Sequence, residues 1–503
     1  MVILFKDLDH HSPILYFSTM KYSYLHLVIF LLSLAPKTEA QRSNNSKPNI
    51  IYIFADDLGY GELGCYGQQK IKTPHLDKMA KEGMLFSEHY SGAPVCAPAR
   101  CMLLTGVHAG HSYIRGNYEL GDYSDDKEGG QMPLPENIFT LPALLKKAGY
   151  ITGMVGKWGL GMPSDGGSPL QHGFDYYYGF LDQKQAHNYY PTHLWENDKW
   201  DTLDNPVINV HKKIEAATAS DADFDRYKGK EYAPAVMTEK AFRFIDKNRA
   251  KPFFLYLPYT LPHLSLQVPE EYINKYKGQF NETPYYGQNG YAPCKYPLST
   301  YAAMITYLDD QVGLILEKIK KLGLDNNTLI MFSSDNGTTF SSGVDAKFFN
   351  SEMGLRGLKM ELYEGGIRMP FIARWPGKVG AGVVTSLPSA QYDLMATLAE
   401  LVKQPLKNTD GISFLPTLTG RYDQQKKHEF LYFEYPENGG QIAIRWGNYK
   451  GIKLNMKKDH AASWQLYDLS ADRGEKNDIA ASHPEIIATL DNILREDRKS
   501  TRL

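Results

Sequence analysis

The residues with types and spacing suited to chemistry begin at a cysteine. Cys96-Ala97-Pro98-Ala99-Arg100 runs on through Cys101-Met102-Leu103-Leu104 to Thr105-Gly106. Pro98 fixes its own φ and donates no backbone hydrogen bond, so Cys96 is expected on an exposed turn. From Ala99 onward the residues can wind as a helix. Cys96 then stands close to a helix N-terminus, where orphan N–H groups and the helix dipole favour an anion. Asp56-Asp57 is a second candidate. Adjacent carboxylates repel each other, a cation removes that cost, and oxygen ligands of this kind suit calcium or magnesium. Asp335-Asn336 offers one charged and one neutral oxygen. Each pair also fits a plain turn, since Asp57 precedes Leu58-Gly59 and Asn336 precedes Gly337.

The elements that must position these groups follow from the apolar pattern. Asn49-Ile50-Ile51-Tyr52-Ile53-Phe54 is a continuous apolar run that ends at Asp56, as suits a strand buried in a parallel sheet. Tyr150–Val155 ends at Gly156-Lys157, Pro252–Leu257 leads to Pro262-His263, and Thr328–Phe332 leads to Asp335. Open α/β sheets bind ligands at such carboxyl ends. Thr73-Pro74 and Thr140-Leu141-Pro142 start helices that stop at Gly83 and Gly149. A long amphipathic helix covers Tyr301 to Gly323. The alternation predicts an α/β fold, with a large central, mostly parallel sheet flanked by helices. Beyond Gly420, Phe430–Tyr435, Gln441–Trp446, Tyr449–Leu454 and Gln465–Tyr467 read as short strands before a helix from Pro484 to Arg495. Residues 41–420 are expected to form the main domain and 421–503 a small antiparallel-sheet-plus-helix subdomain.

The 503 residues carry a formal net charge of −2, which excludes a general basic face for nucleic acid or membrane. Attraction for an anion must be local. The four cysteines, Cys65, Cys96, Cys101 and Cys294, contain no C-x-x-C pair, which argues against a zinc ribbon or thioredoxin-type site. Residues 1–40 read as an N-terminal extension and signal peptide. Met20-Lys21 precedes an apolar run from Leu25 to Ala35, too short to span a bilayer comfortably, and Thr38-Glu39-Ala40 ends in a small residue before Gln41. A secreted or periplasmic location is expected.

Between Asn49 and Leu469 the chain resembles the formylglycine-dependent sulfatases of the alkaline phosphatase superfamily. The motifs are C-x-P-x-R at Cys96, the double aspartate after the first strand, Gly156-Lys157-Trp158, Pro262-His263, Ser334-Asp335-Asn336-Gly337, and G-L-K-x-x-x-x-E-G-G-x-R from Gly357 to Arg368. The resemblance implies an alkaline phosphatase-like fold and the conversion of Cys96 to formylglycine by a maturation enzyme. It further implies a divalent ion, usually calcium, on Asp56, Asp57, Asp335, Asn336 and modified Cys96. Arg100 would steady the aldehyde hydrate, Lys157 and Lys359 would contact sulfate oxygens, and His263 would stand near the leaving-group oxygen. A hydroxyl of the hydrate attacks sulfur, and loss of a proton from its second hydroxyl then expels sulfate.

One position departs from the pattern. Many sulfatases carry a histidine where this chain has Gly159, and that histidine is thought to help the elimination. His187 is the first expected substitute, then His108 or His111. The His111–Asn117 run and the aromatic segment Gln171–Trp195, read as a structured loop, resemble a bacterial subgroup acting on sulfated carbohydrates. Arg115, Asn117, His187 and His193 are candidate readers of sugar hydroxyls in an exo-acting enzyme. Two alternatives are a phosphonate or phosphodiester hydrolase of the same superfamily and a non-catalytic calcium-dependent glycan binder.

Overall fold

The computed structural model describes residues 47–500, Asp126 excepted. The expected signal peptide, residues 1–40, lies outside the described residues. From Lys47 onward the chain forms one compact unit. No described helix is long and apolar enough to cross a membrane.

In chain order the main sheet takes β1 (Asn49–Asp56), β2 (Met84–Tyr90), β3 (Ile151–Lys157), β4 (Tyr176–Phe180), β5 (His193–Glu196), β6 (Lys199–Thr202), β7 (Phe253–Pro262), β8 (Thr328–Ser334), β9 (Arg368–Arg374), β10 (Val383–Thr385) and β11 (Ser389–Ala390). The spatial order is β10-β2-β9-β8-β1-β7-β3-β4-β5-β6, with β11 also pairing to β2. The centre, β8-β1-β7-β3-β4, is parallel, β9 and β5 run against it, and β6 turns back along its direction. Every residue of β1 is buried, as its unbroken apolar run requires of a strand covered on both faces.

Successive β1 side chains serve two cores. Ile51 and Ile53 face one that includes Met237 and Phe244, and Leu308 and Ile315. Ile50, Tyr52 and Phe54 face the other, with Cys101, Leu103, Leu144 and Leu398. The covering helices are α1 (Pro74–Lys81), α2 (Cys96–Thr105), α3 (Leu141–Lys147), α4 (Ala233–Asn248), α5 (Pro297–Lys321) and α6 (Asp393–Leu401). A second, antiparallel sheet follows in the order β12 (Phe430–Tyr435), β13 (Gln441–Trp446), β14 (Tyr449–Lys453) and β15 (Gln465–Asp468). It packs with α7 (Pro484–Ser500) through Ile444, Leu466 and Leu490, and this core also takes Ala99 and Met102 of α2.

Two local expectations are corrected. Cys96 does not sit on an exposed turn: it is the first residue of α2, and all ten residues of that helix are buried. Pro98 is tolerated because the first-turn N–H groups have no intrahelical acceptor to lose. The aromatic segment from Gln171 to Trp195 is not a loop throughout, because it contributes β4 and the start of β5 to the sheet. The Tyr176–Tyr178 run hid the strand, since buried tyrosines leave no polar alternation. All four cysteines are free thiols.

Candidate active site

Four neighbouring strands deliver the site. Ala55 is in register with Ser334, and Asp56 with Pro262, so Asp56, Asp57, His263, Asp335 and Asn336 reach the same sheet edge. Lys157 ends β3, next to β7. Helix α2 brings Cys96 against them, with its Sγ 3.3 Å from Asp56 Oδ1. Lys359 enters from the segment before β9 and donates to Asp57 Oδ2 at 2.8 Å, with Cys96 Sγ 3.8 Å away.

Three carboxylates and three cations therefore converge away from water. Lys157 Nζ lies 2.7 Å from Asp56 Oδ2. The Arg100 guanidinium reaches Asp335 at 2.9 Å and Asp56 at 3.3 Å, and donates to the carbonyl of Lys157 at 2.8 Å. Burial works against the charge on Asp56, but Lys157, His263, Arg100 and Lys359 outweigh it and hold this carboxyl well below the usual range. Burial and the adjacent Asp56 push Asp335 up to about 7. Burial, and then the Asp56 charge, push the Cys96 thiol up, so an unmodified thiol here is a poor nucleophile. Asp57 adopts a left-handed backbone, φ 62°, which Asp tolerates, and its N–H is held by Asp335 Oδ1 at 3.0 Å.

The oxygen donors Asp56, Asp57, Asp335 and Asn336 are of the kind a hard divalent cation takes. Ligand atoms of Asp56, Asp57, Cys96 and His263 all lie within 4.8 Å of one another. Asn336 donates its amide to Asp57 Oδ1 at 2.7 Å, while its buried Oδ1 has no hydrogen-bond partner among the described residues. A buried carbonyl oxygen left unpaired beside carboxylates is a ligand position for an oxygen-preferring ion.

The sequence candidates divide. Asp56, Asp57, Cys96, Arg100, Lys157, His263, Asp335, Asn336 and Lys359 come together. His187 joins them: its ring lies flat on His263, with centroids 5.1 Å apart and planes 9° from parallel. His108 and His111 do not. They stack on each other and bind Asp410 and Asp497, His108 reaching Asp497 Oδ1 at 3.1 Å and His111 reaching Asp410 Oδ2 at 2.8 Å. Asn117 turns inward, and its Oδ1 accepts from the N–H of Ala97 at 2.9 Å, capping the helix that carries Cys96. Arg115 faces Glu434 at 3.4 Å. His193 is buried between Glu128, 2.8 Å away, and the ring of Trp200.

Gly159 has a structural reason. Its φ is +70°, and a Cβ there would lie 2.8 Å from Gln183 Cγ. Gln183, just past β4, fills the space that a side chain at 159 would enter. Sequence reasoning missed Gln183, although the end of β4 was the signal available for it. It also missed His211 and Tyr291, which stand beside His187 on segments with no strand or motif to mark them.

The fold and the site define a hydrolase of anionic esters. The chain belongs to the sulfatase family: the Sulfatase family model matches residues 48–404, and the model for the N-sulphoglucosamine sulphohydrolase C-terminal region matches residues 356–500. It is a sulfuric ester hydrolase. It is 32% identical to an N-acetylgalactosamine-6-O-sulfatase of Bacteroides thetaiotaomicron, over 90% of this chain and 93% of that one. It is 30% identical to human N-acetylgalactosamine-6-sulfatase, over 90% and 86%. Among solved structures, that of Ps i-CgsB matches with a TM-score of 0.73 and 28% identity, covering 91% of this chain and 94% of that one. A phosphonate monoester hydrolase of Agrobacterium radiobacter shares the fold, at TM-score 0.63 and 19% identity.

Proposed function

We propose that this enzyme removes sulfate from the end of a sulfated carbohydrate, a galactose or N-acetylgalactosamine unit, with Cys96 converted to formylglycine. The observation that carries the reading is the convergence of Lys157 and Arg100 on Asp56, which Cys96 Sγ touches at 3.3 Å, with Lys359 3.8 Å from the same sulfur, beside the unpaired oxygen of Asn336. Asp56, Asp57, Asp335 and Asn336 would hold calcium, or magnesium in its place, together with residue 96. Held there, the ion would offset the negative charge of the sulfate oxygens. Lys157 and Lys359 bind those oxygens and stabilise the charge that builds on them during attack. Arg100 fixes the modified side chain. His263 Nδ1 is held by the carbonyl of Leu264 at 2.6 Å, which places the proton on Nδ1 and turns Nε2 toward the cluster. The alcohol leaves with a proton supplied by Lys359, or by His263 in its doubly protonated form. His187 takes the place of the histidine absent at Gly159 and accepts the proton lost when sulfate departs.

Arg115 and His193 are proposed to shape the sugar pocket through Glu434 and Glu128, and Asn117 to act through α2. A cleaved signal peptide, ending near Ala40-Gln41, would deliver the protein to the periplasm or outside the cell. Residues 41–420 would be the catalytic domain, and 421–503 a subdomain that buttresses α2. The mass of the Cys96 peptide from active protein tests the nucleophile: the expected value is that of formylglycine, and an unmodified thiol throughout would refute the mechanism. Sulfate release from a panel of mono-sulfated sugars tests the substrate, and activity confined to small aryl esters would count against a glycan. Parallel rates on sulfate and phosphate esters test the preference for sulfate.

A further inference from the structure

Behind His187 stands a second histidine. His187 Nδ1 lies 3.5 Å from His211 Nε2, and His211 Nδ1 is hydrogen bonded to the carbonyl oxygen of Gly290. A carbonyl only accepts, so the His211 proton is on Nδ1. With that proton on Nδ1, His211 offers Nε2 as an acceptor, and the proton shared between the two rings comes from His187 Nδ1. Nε2 of His187 is left without a proton. One backbone oxygen thus dictates the tautomer of both rings, as an oriented partner does for a general base elsewhere.

Packing holds this arrangement in place. His187 is clamped between the parallel ring of His263 and the edge of Tyr291, with centroids 5.1 and 5.0 Å away. Tyr291 also meets His211, at 5.8 Å. The main chain of His187 is tied down as well, since its carbonyl accepts from the N–H of Ser265 at 3.2 Å. Burial, and then the charges of His263 and Lys157, hold His187 well below the ordinary histidine range, so it rests neutral. His211 is exposed, at the solvent end of the chain of hydrogen bonds.

We propose that His211 is a positioning residue that fixes His187 as its Nδ1–H tautomer and so presents Nε2 as the acceptor for the elimination step. The proposal rests on the formylglycine reading above. In that step the O–H bond of the second hydroxyl breaks and its proton goes to His187 Nε2. The released electron pair forms the C=O bond of the aldehyde, and the C–O bond to sulfate breaks with its pair leaving on sulfate. No oxidant or reductant enters. The imidazolium formed at His187 donates more strongly through Nδ1 to His211, and its extra proton returns to water.

The test combines a spectrum and a rate. Protein labelled with 15N in its histidine rings, with His187 assigned by its loss in His187→Ala, reports the tautomer directly without substrate. The expected state is Nδ1–H in the parent and a shift toward Nε2–H in His211→Ala. On an aryl sulfate, His211→Ala should keep kcat/KM, with KM falling in step with kcat, and a full first burst of released alcohol. Its kcat should fall about tenfold, a part of the 100- to 10,000-fold range for a general base itself. His211→Gln, whose carboxamide oxygen can still accept from His187, should recover most of kcat, and His211→Phe should not. An Nε2–H tautomer in the parent, or an unchanged tautomer and kcat in His211→Ala, would overturn the proposal. An unmodified Cys96 in active protein would instead refute the formylglycine reading, and the tautomer would still decide the His187–His211 link.

Discussion

Placing any side chain at Gly159 should destabilise the protein through two separable terms. The left-handed backbone, φ +70°, costs a non-glycine residue about 1–2 kcal/mol. The new Cβ would also meet Gln183 Cγ at 2.8 Å, Cδ at 3.1 Å and Nε2 at 3.4 Å. Overpacking of this kind costs about 1–3 kcal/mol. Gly159→Ala should therefore lose about 2–5 kcal/mol in all. Gln183→Ala removes the obstructing atoms without touching the backbone term. Made in the Gln183→Ala background, Gly159→Ala should cost only about 1–2 kcal/mol. The coupling energy, about 1–3 kcal/mol, is read from urea unfolding of the four proteins in a double-mutant cycle. Gly159→His should behave like Gly159→Ala, so restoring the family's histidine alone should lower stability without raising turnover. Parent-like stability in Gly159→Ala, or a coupling indistinguishable from zero, would refute the steric reasoning.

Asn117→Ala leaves the Ala97 N–H without its acceptor and should cost about 1–3 kcal/mol, with a loss of kcat because α2 carries Cys96, the proposed nucleophile. Asn117→Asp keeps an acceptor oxygen and should retain most stability, as thermal unfolding would show. Calcium should raise the unfolding midpoint, by about 2.7 kcal/mol of stability at a free concentration a hundred times its Kd, and a chelator should reverse this. Asn336→Ala should abolish the calcium effect, and an unchanged response would remove Asn336 from the ligand set. His428 contributes a pH dependence remote from the site. Burial opposes its charge, but Asp393, 2.8 Å from Nε2, outweighs burial and raises its pKa. A raised folded pKa gives stability that is full below the ordinary histidine value of about 6.5 and is lost as pH rises through the folded value. His428→Gln should therefore weaken the protein most at about pH 5.5 and progressively less in alkaline buffer, in unfolding curves taken across that range.

Much of the site was legible because parallel strands simplify the geometry. A fully apolar run such as Ile50–Phe54 has to lie inside a sheet, so the residue after it has to stand at the sheet's edge. Applied to β1, β3, β7 and β8, that rule puts Asp56, Lys157, His263 and Asp335 on one rim from the sequence alone. It says nothing about residues carried by irregular segments. His211, Tyr291 and the inward turn of Asn117 follow from long-range packing, which leaves no period in the sequence.

The sequence by itself determined the chemistry on offer: a cysteine in C-x-P-x-R, paired oxygen ligands, two lysines, and a glycine where a histidine is common. It also determined the strands that carry most of these groups, because local hydrophobic patterning is a property of neighbours in the chain. Only the tertiary structure decided that Cys96 is buried, since that needs Asp56 at the end of β1 and Lys359 from the segment before β9 to close on it. Only it decided that His187, and not His108 or His111, reaches His263. Those outcomes depend on which distant segments share a volume, and a side chain's neighbours in space are fixed by packing rather than by spacing along the chain.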